Sequence, residues 1–475
     1  MSTTTSTRSK GSKGSKGAKG SKGTSGSGST GTPARGSAQQ RARAAQAAKE
    51  RARARAEAHA DEAARSGTTR SLPIIAKLES PLTTYYLILG ATTTLVVIGL
   101  IMVFSASSVE QLLADKASYT VFARQLLFAV VGGVAAAVAS RLEVRRWRRL
   151  AVPALAVSVL LLAAVIPLGI SVNGNQNWLA IGPVQFQPSE LAKIGLVLAG
   201  AAIYANKSTR MASVVHVLLP FLVPISAVVL GLILAGHDLG TALVFLIIIA
   251  AILAVAGAPL RIFVVGGLVG AAGVAALVAT SGNRVKRITD FLDPACNTNP
   301  DGWCGQAVHG MYALADGGWW GVGLGASKEK WAWLSEAHND FIFAIIGEEL
   351  GLPGTLMILV LFGILAWACF RLVSRTQDRF VRVAGAGIMA WLIGQAIINI
   401  GAVIGLFPVI GVPLPLVSAG GSSLVTTLLA LGVLLSFARG EPGCRALLES
   451  RRGMIRRSLA VLPSRTRALS SRRSR

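Results

Sequence analysis

The stretch YYLILGATTTLVVIGLIMVF, residues 85–104, runs for 20 residues without a charged side chain. A helix needs about 20 mainly apolar residues to cross the hydrocarbon core of a bilayer, so this stretch predicts a transmembrane helix. Nine further apolar stretches follow, centred on 119–139, 150–170, 188–204, 214–235, 240–256, 262–279, 341–373 (long, and interrupted at Gly351-Leu352-Pro353-Gly354), 383–406 and 423–437. The sequence therefore predicts an all-α polytopic membrane protein with about ten transmembrane helices within residues 81–437.

The composition agrees with a membrane protein and argues against a nucleic-acid binder. Of the 475 residues, 52% are hydrophobic and only 15% are charged, whereas soluble domains carry about 25% charged residues. The net charge of +25 lies mostly in the tails, which carry +11 in residues 1–80 and +9 in residues 438–475. The first tail is rich in Ser, Gly and Lys and is predicted to be disordered. We expect both basic tails to attract anionic lipid, because no nucleic-acid-binding motif accompanies the charge.

The short loops predict the orientation of the helices. Five arginines lie in residues 141–149, and more lie in residues 371–382, whereas 171–187, 236–239 and 407–422 contain no Lys or Arg. By the positive-inside rule, both termini are cytoplasmic in the plasma membrane. Residues 280–339 then form a large extracytoplasmic loop between spans 7 and 8. Cys296 and Cys304 both lie in this loop, where an oxidising exterior favours a disulfide between them.

Two groups of polar residues lie where predicted spans begin. Gln187-Pro188-Ser189-Glu190 is typical of a helix start, and Lys193 follows Glu190 at i+3. Lys193 either forms a local ion pair with Glu190 or faces a cavity and binds an anionic substrate group. Asp238 lies in the turn 236–241, where a helix cap is favoured over a binding role.

A third group surrounds Asp340, which stands directly before the apolar run 341–346. A carboxylate with one apolar flank is partly desolvated and suits a general base, but the same position also suits a helix N-cap, and local sequence leaves both open. Glu348 and Glu349, further along the same span, need internal partners. The glycines at 321, 323 and 325 follow no predicted strand, which argues against a nucleotide loop and favours tight turns or a close backbone approach.

A fourth group is NIGAVIGLFPVIGVPLPLVSAGGSS, residues 399–423. Its three prolines and the Gly420-Gly421 pair prevent a continuous helix. Irregular backbone at membrane depth persists only where protein buries it or where it lines a wet cavity. We therefore predict a re-entrant segment that forms one wall of a pocket on the outer side.

These motifs resemble the SEDS family (shape, elongation, division and sporulation), which includes FtsW and RodA. The similar segments are QPSELAK (187–193), DLGTA (238–242), RITDFLDP (287–294), EAHNDFIFAIIGEELG (336–351) and the signature within 399–422. The resemblance covers about residues 81–439 and is nearest to FtsW, chiefly through FLDP and SEAHNDFIFAIIGEELG. The basic, Ala/Arg-rich tails are similar to those of high-GC Gram-positive bacteria (Actinobacteria).

The resemblance implies a peptidoglycan glycosyltransferase that polymerises lipid II into glycan strands, releases undecaprenyl diphosphate and serves septal wall synthesis in cell division. It implies a class B penicillin-binding protein transpeptidase and other division proteins as partners, at the septum. It assigns catalysis to Asp340, as base for the acceptor hydroxyl or as partner of a divalent cation (Mg²⁺ or Mn²⁺). The substrate-binding residues it implies are Gln187, Glu190, Lys193, Asp238, Arg287, His338, Ser418, Gly420, Gly421 and Ser422.

The sequence departs from the family pattern at three places. Asn175-Gln176-Asn177 stands where the family commonly has arginines, His237 replaces the proline before DLGTA, and Asn339 replaces a threonine before the aspartate. One anion-binding contact therefore cannot be carried over. Two other functions compete with the glycosyltransferase. They are a lipid II flippase, which would place charges through the bilayer core, and a non-catalytic division scaffold, which would tolerate loss of Asp340.

Overall fold

The computed structural model describes residues 80–172, 175–182, 184–206, 214–279, 289, 305–331, 333–334, 336–441 and 443–444. Most of both predicted tails, Arg287 and the predicted Cys296–Cys304 disulfide lie outside the described residues. The described residues all belong to one unit, Ala76–Arg475.

Long apolar helices make up most of the structure. Eight of those described are long and apolar enough to cross a membrane. They are α1 (Pro81–Leu113), α2 (Thr120–Ala139), α3 (Val144–Leu168), α4 (Pro188–Asn206), α7 (Leu239–Ala256), α10 (Ile342–Arg375), α11 (Arg379–Val403) and α12 (Gly421–Arg439). The prediction of an all-α polytopic membrane protein is confirmed.

The other two predicted spans are also apolar and helical, but they are not among these eight helices. Residues 214–235 are divided into α5 (Val214–Val217), a π-helical segment (Leu218–Ser226) and α6 (Ala227–Ala235). The π-helical segment contains Pro224, which cannot donate a backbone hydrogen bond and so breaks the regular α-helical pattern. The other is α8 (Leu260–Ala279), and the short helix α9 (Gly305–Gly317) follows within the predicted outer loop.

A small antiparallel sheet joins α3 to α4. Its strands, in the order β1–β2–β3, are β1 (Ile170–Val172), β2 (Asn175–Ile181) and β3 (Val184–Phe186), with Ile170 opposite Trp178 and Leu179 opposite Phe186. The sequence pattern indicated a loop here, because β1 and β3 have only three residues each and β2, NQNWLAI, does not alternate regularly between polar and apolar residues.

Three helices, α4, α11 and α12, supply the most deeply buried faces of the bundle. Small residues let helix backbones approach closely, as is usual inside membranes. A Cβ added at Gly432 on α12 would lie 2.6 Å from the carbonyl oxygen of Ala136 on α2. Helix α10 kinks at Gly351, whose φ of +65° favours glycine, so the predicted interruption of this span is confirmed.

Between α11 and α12 the chain runs without regular structure from residue 404 to 420. Val412, Leu414, Leu416, Val417 and Ser418 in this stretch are buried. Buried irregular backbone agrees with the predicted re-entrant segment, and 404–420 is called by that name below. Together with the loop 336–340 it defines what we call the Asp340 end of the bundle.

Candidate functional site

The loop that carries Asp340 is held by its own backbone carbonyls. The carbonyl of His338 accepts a hydrogen bond from the amide of Ala419 at 2.9 Å, and that of Asn339 accepts one from the hydroxyl of Ser418 at 2.6 Å. The carbonyl of Asp340 accepts one from the side-chain amide of Asn399 at 2.7 Å. These three hydrogen bonds fix the backbone on either side of Asp340 and leave its carboxylate outside the clamp.

Asp340 is not the N-cap of α10. The helix begins at Ile342 and Phe341 occupies its N-cap position, so Asp340 lies one residue before that position. The predicted N-cap position of Asp340 is therefore wrong, because the helix starts one residue later than the sequence pattern indicated. Boundaries of this kind are the least reliable part of a sequence reading.

Asp340 instead lines a small pocket between α11 and the re-entrant segment. The pocket has a volume of only about 10 Å³, little more than one water-sized site, and Phe341, Ile398, Asn399, Ala402 and Val403 line it together with Val409 to Val412. Gly411 has a φ of +70°, which favours glycine, and a Cβ added there would make an ordinary contact of 3.5 Å with Oδ2 of Asp340. The predicted pocket wall formed by the re-entrant segment is present.

Lys193 lies at the centre of a buried polar network. Its Nζ is 2.8 Å from Oε1 of Glu190 and 3.1 Å from Oε1 of Gln395, and it sits 4.8 Å from the centre of the Trp391 ring. Only 2% of Lys193 is exposed. Glu190 also accepts a hydrogen bond from Thr426 on α12 at 3.3 Å. Of the two readings of Lys193, this conformation contains the ion pair, and the ammonium does not face an open cavity.

Asp238 gathers three segments around one carboxylate. Its oxygens accept hydrogen bonds from the backbone amide and hydroxyl of Thr241, from Asn177 at 2.7 Å and from Gln187 at 3.0 Å. The predicted cap of α7 is thus present. Gln187 links this point to α12, because its backbone amide donates to the hydroxyl of Ser422 at 3.3 Å.

The two amides at the family's arginine positions both serve the local structure. Gln176 donates to the carbonyls of Val165, Ile166 and Gly169, which closes the end of α3. Asn177 neutralises none of the charge of Asp238, and its own Oδ1 is buried without a hydrogen-bond partner. The contact that arginines would make at this place is replaced by neutral hydrogen bonds.

The signature glycines and serines shape the backbone at the start of α12. Gln125 on α2 donates to the carbonyl of Ser418 at 3.1 Å and accepts from the amide of Gly420 at 3.2 Å. Gly421 packs against the ring of Phe128, where a Cβ would clash. The sequence analysis did not select Gln125 or Gln395, although a polar side chain within an apolar span is a signal for both.

A second acid approaches the Asp340 loop from α1. Oε2 of Glu110 is 3.1 Å from Nδ1 of His338, close enough for an ion pair although the geometry is not that of an aligned hydrogen bond. Glu110 lies in the last turn of α1, and nothing in its sequence neighbourhood indicated this contact. His338 therefore joins the site through its carbonyl and its ring.

Glu348 and Glu349 have the internal partners that their position required. Glu348 accepts from the hydroxyl of Ser327 and from the amide of Lys328 at 2.6 Å. Glu349 accepts from Ser105 at 2.7 Å and pairs with Lys330 at 2.9 Å. Both carboxylates are thus committed to structure, which leaves Asp340 as the acid that borders the pocket.

The described residues 305–331 and 333–334 of the predicted outer loop are called the outer segment below. The glycine run at 321, 323 and 325 lets this segment lie against the kink of α10. The amide of Val322 donates to the carbonyl of Glu348 at 2.9 Å, and that of Gly323 donates to Glu349 at 3.0 Å. A Cβ at Gly321 would strike the carbonyl of Glu349, and its φ is +76°. The run therefore serves tight turns and a close approach, here to a helix.

A buried dyad lies in the same outer segment. Nδ1 of His309 is 2.7 Å from Oε2 of Glu329, and the ring packs against those of Tyr312 and Trp333. Burial raises the pKa of the Glu329 carboxyl above its ordinary value, while the hydrogen bond and charge of His309 act in the opposite direction.

The described residues do not by themselves build a metal site. Among them, no three His, Cys, Asp or Glu side chains are grouped closely enough to hold a metal ion. A divalent cation at Asp340 would have one protein carboxylate there, which is fewer than a dedicated protein site supplies. No step below is therefore routed through a metal.

A sequence profile of the family described as "Cell cycle protein", which unites FtsW, RodA and SpoVE, matches residues 85–442. The chain belongs to the FtsW/RodA/SpoVE family. The predicted resemblance, nearest to FtsW, is thereby confirmed. The fold brings the implied site residues together in three groups: Asp340 with His338 and Ser418, Gln187 with Asp238 and Ser422, and Lys193 with Glu190.

Relatives in the FtsW/RodA/SpoVE family share most of the chain. The "Probable peptidoglycan glycosyltransferase FtsW" of Mycobacterium tuberculosis is 39% identical over 395 residues, which cover 82% of this chain and 75% of that protein. Stage V sporulation protein E of Bacillus subtilis is 37% identical over 350 residues, covering 74% and 95%. The mycobacterial relative fits the resemblance of the tails to high-GC Gram-positive bacteria.

Solved structures of family members have the same fold. The rod shape determining protein RodA of Thermus thermophilus gives a TM-score of 0.56 at 28% identity and covers 75% of this chain and 97% of its own. A structure described as "Structural coordination of polymerization and crosslinking by a peptidoglycan synthase complex" gives a TM-score of 0.62 at 30% identity, covering 75% and 98%.

Proposed function

We propose that the chain is a peptidoglycan glycosyltransferase of cell division that polymerises lipid II and releases undecaprenyl diphosphate. The observation that carries this proposal is the position of Asp340. The backbone carbonyls of residues 338–340 are held by hydrogen bonds, Phe341 occupies the N-cap position of α10, and the side chain of Asp340 borders the pocket beside Gly411. Membership of a family whose relatives are named peptidoglycan glycosyltransferases supports the same activity.

The proposed reaction needs one base. Asp340 accepts the proton of the acceptor sugar hydroxyl as its oxygen forms a bond to the anomeric carbon of the donor. The bond from that carbon to the diphosphate oxygen breaks, and the leaving group departs with the electron pair as undecaprenyl diphosphate. General-base catalysis of this kind contributes on the order of 10²–10⁴ in rate.

Lys193 is a positioning residue in this proposal. It binds Gln395, and Gln395 donates to the carbonyl of Pro413 at 2.8 Å, so the buried ion pair supports the wall that faces Asp340. This arrangement supports an indirect role through the re-entrant segment, rather than contact between Lys193 and the leaving diphosphate.

The proposed partner is a class B penicillin-binding protein transpeptidase, which would crosslink the new glycan at the division septum beside other division proteins. The structural relative that is described as coordinating polymerization and crosslinking in a synthase complex supports such a pairing. The loop charges support cytoplasmic termini, and the basic tails suit binding to anionic lipid.

Lipid II polymerisation by the purified full-length chain with its partner transpeptidase tests the function. We expect glycan strands from the unaltered protein and from Asp316→Ala, which alters an exposed aspartate of the outer segment. Asp340→Ala should give none. Equal product from Asp340→Ala and Asp316→Ala would remove the glycosyltransferase assignment and favour a transport or scaffold role.

A further inference from the structure

Trp319 and Trp320 display two adjacent indole rings beside the kink of α10. They are 74% and 84% exposed, which places them among the most exposed large apolar side chains of the described residues. Neither takes part in the pocket or in the polar networks described above. Two neighbouring exposed tryptophans on an ordered segment indicate a surface that contacts something other than water.

The backbone on both sides of the pair is fixed to α10. The amide of Leu352 donates to the carbonyl of Gly318 at 3.1 Å, and the amide of Val322 donates to the carbonyl of Glu348 at 2.9 Å. A Cβ at Gly351 would lie within 2.9 Å of the backbone of Trp319 and Trp320. The backbone of the turn is therefore held against α10 on both sides of the pair.

The kink is also where α10 changes its surroundings. Residues 342–349 are buried on all sides, whereas Leu352 begins an exposed apolar face that continues through Leu356, Met357, Leu359 and Val360 to Phe370. The 24 helical residues from 352 to 375 span about 36 Å, enough for a hydrocarbon core of about 30 Å. Arg371 and Arg375 lie at the far end. The hydrocarbon boundary therefore falls at the kink, level with the tryptophan pair.

We propose that the Trp319–Trp320 turn is an interfacial anchor that inserts into the lipid headgroup region at the Asp340 end of the bundle. Tryptophan is enriched at this depth because its apolar ring enters the acyl boundary while its N–H stays hydrated. Lipid is the expected contact of the two rings because they lie beside Leu352, where the exposed apolar face of α10 begins. On the predicted orientation this is the outer leaflet.

The anchor is coupled to the site through α10. The segment that follows the pair holds Glu348 and Glu349 through Ser327, Lys328 and Lys330, and α10 begins two residues after Asp340. The turn thus fixes the depth of the helix on which the Asp340 loop is mounted. This consequence rests on the proposed function, whereas the anchor itself does not.

Fluorescence quenching by brominated lipid tests the anchor. The full-length protein is placed in phosphatidylcholine nanodiscs whose acyl chains carry bromine near the headgroup, and the emission of its nine tryptophans is compared with that in unbrominated discs. Trp319→Phe/Trp320→Phe should lose part of the lipid-quenched emission. The control, Trp147→Phe, removes a buried tryptophan and should leave the quenched part unchanged.

A second quencher separates the outcomes. In unbrominated discs, acrylamide dissolved in the water should quench little of the emission that the double variant loses. Quenching of that emission by acrylamide and not by bromine would place the rings in water and overturn the proposal. Quenching by neither would mean that protein covers them, which overturns it as well. The assay contains no substrate, so its failure would leave the proposed glycosyltransferase activity untouched.

Discussion

Asn399 joins Asp340 to the re-entrant segment, because its side-chain amide donates to the carbonyl of Asp340 at 2.7 Å and to that of Val412 at 2.8 Å. One turn earlier on α11, Gln395 binds the carbonyl of Pro413 and the ammonium of Lys193. Residues four apart lie on the same face of a helix. One face of α11 therefore connects the buried ion pair with the loop that carries the proposed base.

Asn399→Ala should lower glycan polymerisation at least tenfold. Two buried carbonyls would lose their donor, at a cost of about 1–3 kcal/mol for each, and the backbone of Asp340 would no longer be held against the pocket wall. Lipid II polymerisation rate and thermal unfolding are both to be measured. Asn399→Asp is the sharper variant, since it preserves size but cannot donate. Unchanged activity in both variants would contradict a positioning role.

Lys193→Met should destabilise the protein by about 3–5 kcal/mol, because it leaves the carboxylate of Glu190 buried without its charged partner. The double variant Lys193→Met/Glu190→Gln removes both charges and should recover most of the melting temperature. If Lys193 serves only to neutralise the buried carboxylate of Glu190, polymerisation should return together with stability.

Recovery of stability without activity in that double variant would show that the ammonium itself is needed. The ammonium of Lys193 would then act either by holding Gln395 or by binding an anionic substrate group. The matched control is Trp391→Phe, which removes the other donor to Oε1 of Gln395 and keeps the ion pair.

Features set by neighbouring residues could be predicted from the sequence. The apolar spans, the kink near Gly351, the cap at Asp238 and the irregular segment 404–420 each depend on a short stretch of chain. The need of Glu348 and Glu349 for partners follows from the cost of a buried charge alone. The sequence does not show which residues those partners are; Ser105 and Lys330 are two of them.

Contacts between segments that are far apart in the chain could not be predicted from the sequence. Lys193 looked equally suited to an ion pair and to a cavity, and the decision depends on Gln395, 202 residues away. The contact of Glu110 with His338 likewise joins α1 to a loop more than 200 residues later. Asp340 was ambiguous because a shift of one residue in the start of α10 separates an N-cap residue from one that lies just before the N-cap.

Gly321→Ala should destabilise the outer segment more than Gly323→Ala. Both glycines have positive φ, which costs an alanine roughly 1–2 kcal/mol. Only at Gly321 would the new methyl group also strike the carbonyl of Glu349, whereas the space beside Gly323 is open. Limited proteolysis of the outer segment should therefore be faster for Gly321→Ala. Equal rates for the two variants would count against the close approach to α10.

Glu329→Gln should change how stability depends on pH. Burial raises the pKa of Glu329 in the folded protein, so the folded state holds the proton more tightly than the unfolded chain. The stabilisation from this tighter proton binding is fully present below the pKa that Glu329 has in the unfolded chain. It is lost as pH rises through the raised pKa of Glu329 in the folded protein. Relative to Glu329→Gln, the unaltered protein should therefore lose melting temperature as pH rises from about 4 to 7.

The other charged groups that face Glu329 are His309, Glu348 and Asp316. The variant retains all three, so the difference between the two melting temperatures at each pH reports the loss of the Glu329 carboxyl. Glutamine can still bond the ring of His309, so the dyad's packing is preserved. A difference in melting temperature that stays constant across this range would show that Glu329 does not titrate there.

Asp340→Asn is the most direct test of the proposed base. The three hydrogen bonds that hold residues 338–340 use backbone carbonyls, so exchanging the carboxylate for an amide leaves the clamp intact. Asn has the same shape but cannot take up a proton at neutral pH. We therefore expect a normal melting temperature and a polymerisation rate reduced by a factor of about 100 or more.

Two comparisons make the result for Asp340→Asn specific to basicity. Glu336→Gln changes an acid of the same loop that binds Asn339 at its exposed edge, and it should polymerise lipid II normally. Asp340→Glu keeps the carboxylate but moves it by one methylene, so it should retain a small activity that Asp340→Asn lacks. A near-normal rate for Asp340→Asn would exclude Asp340 as the base. Because Asp238, Glu348 and Glu349 are all committed to internal partners, the proton would then have to pass to another group, such as Glu110 beside His338, or to the substrate itself.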